Sequence, residues 1–235
     1  MNTDNPHFLR CLETLKDALL FRDVSVPALS DMLASMTRTQ WKIRTFKNGS
    51  EIGSTLHFIV SGRLKEYQIN PHTGRERTIF ILSKGDVFDI LSLMDSKSHE
   101  VYWEALDHLE ILNIALADFR QWINDYPAMN NAVLRYLGTR IRQLEEGTTD
   151  ITLHNTLIRL SHLLLNHINL QSQQLELINN LPHSEIASLI GTTRAVVNRH
   201  IQELKKCGAI TVSRSHIDIQ NAELLLAIAE EKFVP

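Results

Sequence analysis

Two arginines near the C-terminal end of the chain, Arg194 and Arg199, have the residue type and spacing that suit recognition of nucleic-acid bases. A guanidinium group presents paired N–H donors that match the O6 and N7 acceptors of guanine. If the stretch TRAVVNRHIQEL is a helix, the two arginines lie about 140° apart around its axis. Ala195 and Asn198 fall on the arc between them. This arc is the kind of helix face that enters a major groove.

The elements that must position this arc are two short helices joined at a glycine. Apolar residues recur at helical spacing in both: Ile186, Leu189 and Ile190 in the first, and Val197, Ile201 and Leu204 in the second. Gly191 supplies the left-handed residue that often ends a helix, and Thr192 or Thr193 can cap the next one. A plain helical hairpin with solvated arginines gives a similar pattern, so the motif needs support from its surroundings.

The sequence around this motif is strand-like in two places. Directly after it, CGAITVSRSHIDI predicts two short strands around Ser213–His216, the pattern of a small wing. Much earlier, residues 41–115 contain the short runs WKIRTF, LHFIVSG, RLKEYQIN, RERTIFI and LEILNIAL, separated by turn signals. Within them, YQINPHTGRERTIFI predicts a hairpin with Gly74 at its tip. The spacing indicates an antiparallel sandwich or barrel.

Helical periodicity flanks the β-rich region on both sides. Residues 7–36 predict a helix and a second short one, with Ser25 as a possible N-cap, and residues 153–169 predict an amphipathic helix. Between these lies a helix with an a/d stripe, whose members are Leu134, Leu137, Ile141, Leu144 and Ile151. The stripe favours pairing of two such helices, although a helix packed on its own domain also fits. We therefore expect an α+β chain with a sensor domain over 1–117, a dimerisation helix over 118–150 and a C-terminal domain over 151–235.

Composition excludes several classes of protein. Hydrophobic residues make up 43% and charged residues 22%, with a formal net charge of -3, so nucleic-acid contact must come from a local basic cluster. The two cysteines, Cys11 and Cys207, lie far apart, which favours a reducing cytoplasm over a disulfide framework. We expect neither a secretory signal nor a membrane span. The sequence has no phosphate loop, HExxH, nucleophile elbow or clustered metal ligands, so we expect no enzyme.

The whole chain resembles the Crp/Fnr family of bacterial transcription regulators over roughly residues 18–228. The resemblance rests on LLFRDVSVPALSDML before the β-rich region, on LHFIVSGRLKEY and ILSKGDVFDILSLM within it, and on SEIASLIGTTRAVVNRHIQELKKCGAI with its wing. It implies a cyclic-nucleotide-binding-type β-roll, a long dimerisation helix and a winged helix-turn-helix. It also implies a homodimer bound to a near-palindromic site on double-stranded DNA, with RNA polymerase as a further partner.

The resemblance assigns roles to residues of the second helix. Arg194 and Arg199 look like the base-reading arginines of the family, with Asn198 on the same face, and Thr193 looks like the phosphate-binding cap. His200 and Gln202 are expected to reach the DNA backbone. Many members carry Glu where this chain has Ala195, and a methyl group cannot accept a hydrogen bond from cytosine N4. We therefore expect a half-site that departs from the commonest pattern of the family.

The phosphate cassette of the cAMP-binding members is altered. Its Gly-Glu pair aligns with Asp89-Ile90 and its Arg-Ser pair with Glu100-Val101, and no arginine lies between Arg77 and Arg120. Because a carboxylate repels a phosphate, we expect an effector other than cAMP. The region expected to form its pocket consists of Asp89, Ile90, Ser92, Glu100 and Val101.

The resemblance also raises two other cofactors of the family, an iron–sulfur centre and haem. A [4Fe–4S] centre needs four thiolates, whereas the N-terminal region holds Cys11 alone, so that cofactor is not expected. The haem-ligating Cys and His of carbon-monoxide-sensing members align with Asp89 and Leu91, so that ligation is lost. Haem bound in another mode stays open, because histidines fall in or near the roll, namely His57, His72, His99 and His108. A sensor of this type that does not bind DNA also stays an alternative.

Overall fold

The computed structural model describes residues 5–52, 54–95, 97, 100–169, 174–213 and 216–235. It opens with α1 (Pro6–Asp17), a 3-10 turn (Leu19–Phe21) and α2 (Val26–Ser35). Asn5 caps α1 by accepting a hydrogen bond from the backbone N of His7, and proline stands in the first turn of both helices, where no intrahelical N–H is needed. Ser25 occupies the N-cap position of α2, as predicted, but its side chain makes no capping hydrogen bond.

The β-rich region is built from short strands. These are β1 (Thr37–Trp41), β2 (Phe46–Asn48), β3 (Thr55–Ser61), β4 (Leu64–Ile69), β5 (Glu76–Leu82), β6 (Val87–Phe88), β7 (Tyr102–Ala105) and β8 (Leu109–Ala115), with two short helices, α3 (Gly49–Ile52) and α4 (Ile90–Asp95). One four-stranded sheet has the order β1-β8-β3-β6 and a second has the order β2-β7-β4-β5. The pairings are antiparallel, with Leu56 opposite Ile114 in the β3–β8 pair.

Two apolar clusters hold this region together. One takes buried residues from both sheets, among them Ile59, Trp103 and Ile111. The other joins the flanking helices to the roll, where the ring of Phe58 lies 5.2 Å from that of Phe21 and 5.9 Å from that of Phe119. Strands β3 and β8 are buried on both faces, and their alternate residues pack into the two different clusters.

Some strand predictions need correction. WKIRTF is not one strand: β1 ends at Trp41, β2 begins at Phe46, and the chain turns between them through Arg44, which has a left-handed φ of 66°. The turn is fixed because Arg44 N donates to the carbonyl of Ala105 at 2.7 Å. The hairpin with Gly74 at its turn is confirmed, since β4 and β5 are neighbours and Gly74 has a φ of 67°.

The helical stretch expected over 118–150 is two helices, α5 (Leu116–Asp125) and α6 (Ala128–Leu153). Pro127 separates them, since a proline disfavours helical geometry in the residue before it, and Tyr126 has non-helical angles of φ -124° and ψ 77°. One face of α6 buries Met129, Val133 and Tyr136. The long helix thus begins only after the break and runs three residues past its expected end.

The predicted a/d stripe divides into three parts. Leu134, Ile141 and Leu144 are exposed at 61%, 56% and 43%. Leu137 is half-buried against the core around α1, α2, α5 and α6. Ile151 is half-buried, and its side chain lies 3.7 Å from where a Cβ on Gly191 would stand, so it packs within the C-terminal part of the chain, and its place in a dimer interface stays a prediction.

The C-terminal part contains α7 (Thr156–Asn166), α8 (His183–Leu189), α9 (Arg194–Lys206), β9 (Ile210–Ser213), β10 (His216–Ile219) and α10 (Ala222–Ala229). Strands β9 and β10 pair antiparallel with Ser213 opposite His216, as expected for a wing. Asn155 caps α7 by accepting hydrogen bonds from two backbone N–H groups, and Asn221 caps α10.

The chain forms two compact units whose boundaries differ from the expected domains. One contains the residues up to Gly74 together with Ile79–Arg142, and the other contains Arg75–Thr78 and Gln143–Pro235. The long helix α6 is therefore shared between the units instead of forming a segment of its own. Among the described residues, the helices include none that is both long and apolar enough to cross a membrane.

Candidate nucleic-acid interface and roll interior

The turn between α8 and α9 has the geometry that the sequence predicts. Gly191 has a φ of 69°, which a residue with a Cβ rarely adopts, and the backbone N of Thr192 donates to the carbonyl of Ala187 at 2.9 Å. Thr193 is the N-cap of α9, and its hydroxyl accepts from the backbone N of Val196 at 3.4 Å. The bend and the start of α9 are thus fixed locally.

The buried face of α9 orients the helix. Val197, Ile201 and Leu204 are fully buried, as their spacing predicts. Ile186 and Ala187 of α8 are also buried, and the small Ala187 side chain permits close approach of the two helices. Because this face is held inward, the opposite face is presented to solvent.

Most of the residues expected to contact DNA lie on the solvent face of α9 and are exposed, namely Arg194, Ala195, Asn198, Arg199 and Gln202. Arg199 lies 3.8 Å from the Glu203 carboxylate, an exposed pair of the kind that contributes little to stability. The face therefore offers guanidinium and amide groups beside a single methyl group, which is the chemistry needed to read base edges in a major groove.

Sequence reasoning missed two features of this face. The His183 ring, at the start of α8, hydrogen-bonds the Asn198 side chain, so the orientation of that amide is set from the first helix. Lys205 and Lys206 extend the exposed positive charge along the last turn of α9. The run of two lysines after the amphipathic pattern could have indicated the second feature.

The prediction that His200 reaches the DNA backbone needs correction. Its side chain is buried, with Nε2 2.8 Å from the Thr156 hydroxyl and Nδ1 2.6 Å from the Glu203 carboxylate. The imidazole therefore joins α9 to α7 and does not face solvent. Its position three residues after Val197 and four before Leu204 places it on the buried side of the helix.

In the roll, the expected effector residues fall into two groups. Asp89 and Ser92 are buried and bonded to each other, the Ser92 hydroxyl donating to Asp89 Oδ1 at 2.7 Å, with Ile90 buried between them in sequence. Val101 is buried, whereas Glu100 is exposed. The structure thus brings Asp89 and Ser92 together and leaves the Glu100 side chain in solvent.

Asp89 occupies an unusual position. Its φ of 59° is left-handed, a conformation that glycine and, less readily, aspartate adopt. Burial raises the pKa of its carboxyl to about 6, although the hydrogen bond from Ser92 opposes the shift. A backbone conformation suited to glycine is thus retained, while the side chain adds a buried acid.

A second buried acid lies on β4. Glu66 accepts a hydrogen bond from Trp103 Nε1 at 2.9 Å, and burial raises the pKa of its carboxyl despite that bond. The pKa of Glu66 also responds to the charges of Arg140, which lowers it, and of Asp89, which raises it. Two carboxyls and one guanidinium thus influence one another inside the roll.

Arg140 reaches this interior from α6, a role that sequence reasoning missed. Its guanidinium bonds Asp86 Oδ1 at 2.5 Å and the Tyr136 hydroxyl at 2.7 Å. The same hydroxyl donates to the carbonyl of Val87 at 3.1 Å. Asp86, the acidic residue of the KGDVF segment, could have indicated that a basic side chain packs against this strand.

Arg120, the next arginine after Arg77 in the sequence, serves the backbone. Its guanidinium donates to the carbonyls of Ser92 and Leu93, at 3.2 Å and 2.9 Å. It therefore supports α4. With these bonds to the backbone, Arg120 does not replace the arginine that the phosphate cassette has lost.

Among the described histidines of the roll, His57 is the most enclosed. Its ring stacks on Phe88 at 4.6 Å, Nδ1 lies 2.7 Å from Asn113 Oδ1, and buried Nε2 has no hydrogen-bond partner among the described residues. Burial lowers the pKa of His57 to about 4, so the ring stays neutral near pH 7. His72 and His108 are exposed, and His99 lies outside the described residues.

Comparison with known proteins agrees with this architecture. A cyclic nucleotide-binding domain matches residues 45–126, and a Crp-like helix-turn-helix domain matches residues 158–228. The cyclic AMP receptor protein of Thermus thermophilus is 25% identical over 179 residues, covering 76% of this chain and 81% of that protein. The CRP-like cAMP-activated global transcriptional regulator of Mycobacterium tuberculosis is 25% identical over 218 residues, covering 91% and 97%.

Solved structures share the fold. A CooA mutant from Carboxydothermus hydrogenoformans gives a TM-score of 0.71 at 20% identity, covering 85% of this chain and 90% of that one. FixK2 from Bradyrhizobium japonicum gives a TM-score of 0.70 at 15% identity, covering 81% and 96%. The β-roll, long helix and helix-turn-helix therefore occur together in known proteins, in the order found here.

Proposed function

The chain belongs to the Crp/Fnr family of transcription regulators, and we propose that it acts as a homodimer which binds a near-palindromic DNA site under control of an effector other than cAMP. On this proposal it works in the cytoplasm and contacts RNA polymerase, as a bacterial regulator of this kind would. The exposed polar face of α9 carries the proposal, because it combines two arginines with a buried opposite face that fixes its orientation.

Base recognition is assigned to that face residue by residue. Arg194 and Arg199 would each donate two hydrogen bonds to a guanine, and Asn198 would contact an adjacent base edge. Thr193 and Gln202 would contact phosphates and so set the register of the helix. Ala195 would pack against a thymine methyl or contact no base, which makes this position the one most different from relatives with glutamate.

Dimerisation is assigned to the stripe on α6. Leu134, Ile141 and Leu144 are large apolar side chains exposed along one side of that helix, with Leu137 partly covered beside them. Burying such a stripe against its copy removes apolar surface from water, at roughly 25 cal/mol per Å². A pair of helices in this arrangement presents two α9 helices to successive turns of DNA.

The charge of the effector is inferred from the buried carboxyls of the roll interior and from the bonding of its arginines to other groups. A cyclic phosphate would meet the carboxyls of Asp89 and Glu66, both buried, while Arg120 is bonded to backbone carbonyls and Arg140 to Asp86. Burying an anion beside unneutralised carboxyls is costly. We therefore propose a neutral or cationic effector in the region of Asp89, Ile90, Ser92 and Val101, with Glu100 at its exposed edge.

The test is a gel shift on a library of near-palindromic duplexes. Arg194→Ala with Arg199→Ala should weaken specific binding by at least about thirtyfold, since each bidentate contact contributes about 1–3 kcal/mol. Arg22→Ala, an exposed arginine far from α9 in the sequence, is the matched control and should bind like the wild type. Failure of the wild-type chain to bind any duplex, at low salt and across effector conditions, would overturn the proposal.

One observation favours haem as the effector. The buried Nε2 atom of His57 has no partner among the described residues, and the lowered pKa keeps its lone pair unprotonated, as an iron ligand requires. An absorption spectrum of freshly purified protein decides this second candidate. A Soret band that His57→Ala abolishes supports it, and a spectrum without one rejects it.

A further inference from the structure

Three potential metal ligands come together where α6 meets α7. Asp150 and His154 lie one turn apart on α6 and just after its end, and His162 projects from α7. One ligand atom from each lies within 4.8 Å of the other two. His162 Nδ1 is 2.7 Å from Asp150 Oδ1, His154 Nε2 is 4.0 Å from the same oxygen, and the two imidazoles meet edge to face at 5.1 Å.

We propose that Asp150, His154 and His162 bind a divalent transition-metal ion, with zinc as the ion that best matches their chemistry. Two neutral imidazoles with one or two carboxylates form a typical zinc ligand set, in which bonds are about 2.0–2.2 Å long. Ligand atoms at tetrahedral corners are then about 3.4 Å apart. The separations in the cluster lie close to that value, so small side-chain rotations bring the three atoms onto one ion.

A second carboxylate lies near the cluster, on the C-terminal segment. The Glu231 carboxylate lies 3.9 Å from His154 Nδ1, a buried atom that has no hydrogen-bond partner among the described residues. The neighbouring Lys232 pairs with Glu230 at 2.7 Å and not with Glu231. Glu231 faces the other ring nitrogen of His154 from the one that faces Asp150, so it adds negative charge near the cluster without being one of the three proposed ligands.

The backbone of this corner is fixed by Arg159. Its guanidinium donates to the carbonyls of Ile151, His154 and Ile190, at 2.6 Å, 2.8 Å and 3.2 Å from the respective nitrogen atoms. The segment that carries His154 is therefore held in place before any ion binds. Such preorganisation lowers the conformational cost of collecting ligands from separate elements.

A second cluster of similar composition does not support the same proposal. His7, Cys11 and Glu110 also lie within 4.8 Å of one another. The Glu110 carboxylate, however, already bonds Arg10 and Arg38, whose guanidinium nitrogens lie 2.5 Å and 2.6 Å from its oxygens. Two fixed positive charges on the only carboxylate repel a further cation, so we assign this cluster to structural stability.

Zinc titration of the tag-free, full-length chain tests the proposal with a chromogenic chelator as competitor. The wild type should bind one equivalent, and His162→Ala or the isosteric Asp150→Asn should weaken binding by at least about tenfold. His7→Ala is the matched control and should bind like the wild type. Far-UV circular dichroism verifies that each variant is folded. If an alanine variant does not fold, the isosteric Asp150→Asn variant still decides the test.

Cobalt substitution provides a second readout. Co²⁺ in the proposed site has only nitrogen and oxygen ligands, so it should show tetrahedral visible bands without thiolate charge transfer. The proposal is overturned if the cobalt spectrum shows a thiolate band, or if the wild type binds no metal. It is also overturned if His7→Ala no longer binds one equivalent of metal, or if folded Asp150→Asn binds as the wild type does. The titration uses no DNA, so its outcome is separate from the test of DNA binding.

Discussion

Helix α9 and the roll interior use polar side chains in opposite ways. On α9, Arg194, Asn198 and Arg199 stand exposed on a helix whose other face is buried, so their donors can meet an outside partner. In the roll, Glu66 and Asp89 are buried and bonded within the protein. On the proposed function, the exposed set would determine which DNA sequence is recognised, whereas the buried set contributes to the stability of the roll and to its dependence on pH.

The largest expected effect lies in the roll. Trp103→Ala removes a fully buried indole and leaves Glu66 without its N–H donor, so the free energy of unfolding should fall by about 3–5 kcal/mol. Trp103→Phe keeps most of the ring and should cost about 1–3 kcal/mol, the penalty of the lost hydrogen bond. Urea denaturation followed by circular dichroism measures both. Equal costs for the two variants would show that the Glu66 bond, not packing, dominates.

On α9, substitution of Ala195 should alter the preference for DNA bases and leave the free energy of unfolding unchanged. Ala195→Glu places a carboxylate where it can accept from cytosine N4, so one base pair of each half-site should shift toward C·G by about 1–3 kcal/mol. Selection from a randomised half-site measures the shift, with Ala195→Gln as a neutral control expected to favour adenine. An unchanged preference in both variants would mean that residue 195 does not meet a base.

The third prediction concerns pH. The Asp89 pKa rises from 3.8 in the unfolded chain to about 6 in the fold, so between those values the unfolded chain loses its proton first and the wild type loses stability. Asp89→Asn removes this loss and still accepts from Ser92. We expect it to be about 1–2 kcal/mol more stable than the wild type above pH 7, with the gain shrinking toward pH 4. A gain independent of pH would contradict the assignment.

The smallest effect is expected at the start of α9. Thr193→Ala removes a capping hydrogen bond whose 3.4 Å length marks it as weak, so unfolding should become easier by only about 0.5–1 kcal/mol. Thr193→Ser keeps the hydroxyl and should lie within experimental error of the wild type. Thermal denaturation of the pair measures the difference, and a loss as large as that of Trp103→Ala would erase the contrast between the two regions.

The sequence predicts the two regions unequally. Val197, Ile201 and Leu204 face inward as their period requires, and Gly191 has the left-handed angle that ends α8, because both depend on local geometry. The burial of His200 follows from the same period, whereas the partners of Arg140 depend on which element lies opposite, which a helical period does not encode. Helix α6 makes this plain, since Tyr136 faces the core while Leu134, also apolar, is exposed.

Asp89 shows a second limit. Its alignment with a family glycine was visible in the sequence, but a left-handed aspartate that also bonds Ser92 was not. The two-residue strand β6 and the one-turn helix α3 were missed for a related reason, since such short elements carry too few residues to show a period.

The exposed stripe on α6 has a consequence for dosage. If Leu134, Ile141 and Leu144 pair only with a second copy, the species that binds DNA forms from two chains. Below the dissociation constant of the dimer, its concentration grows as the square of the total protein concentration. Doubling expression would then raise promoter occupancy nearly fourfold at low occupancy, so the synthesis rate of the protein would itself act as a steep input, alongside any effector.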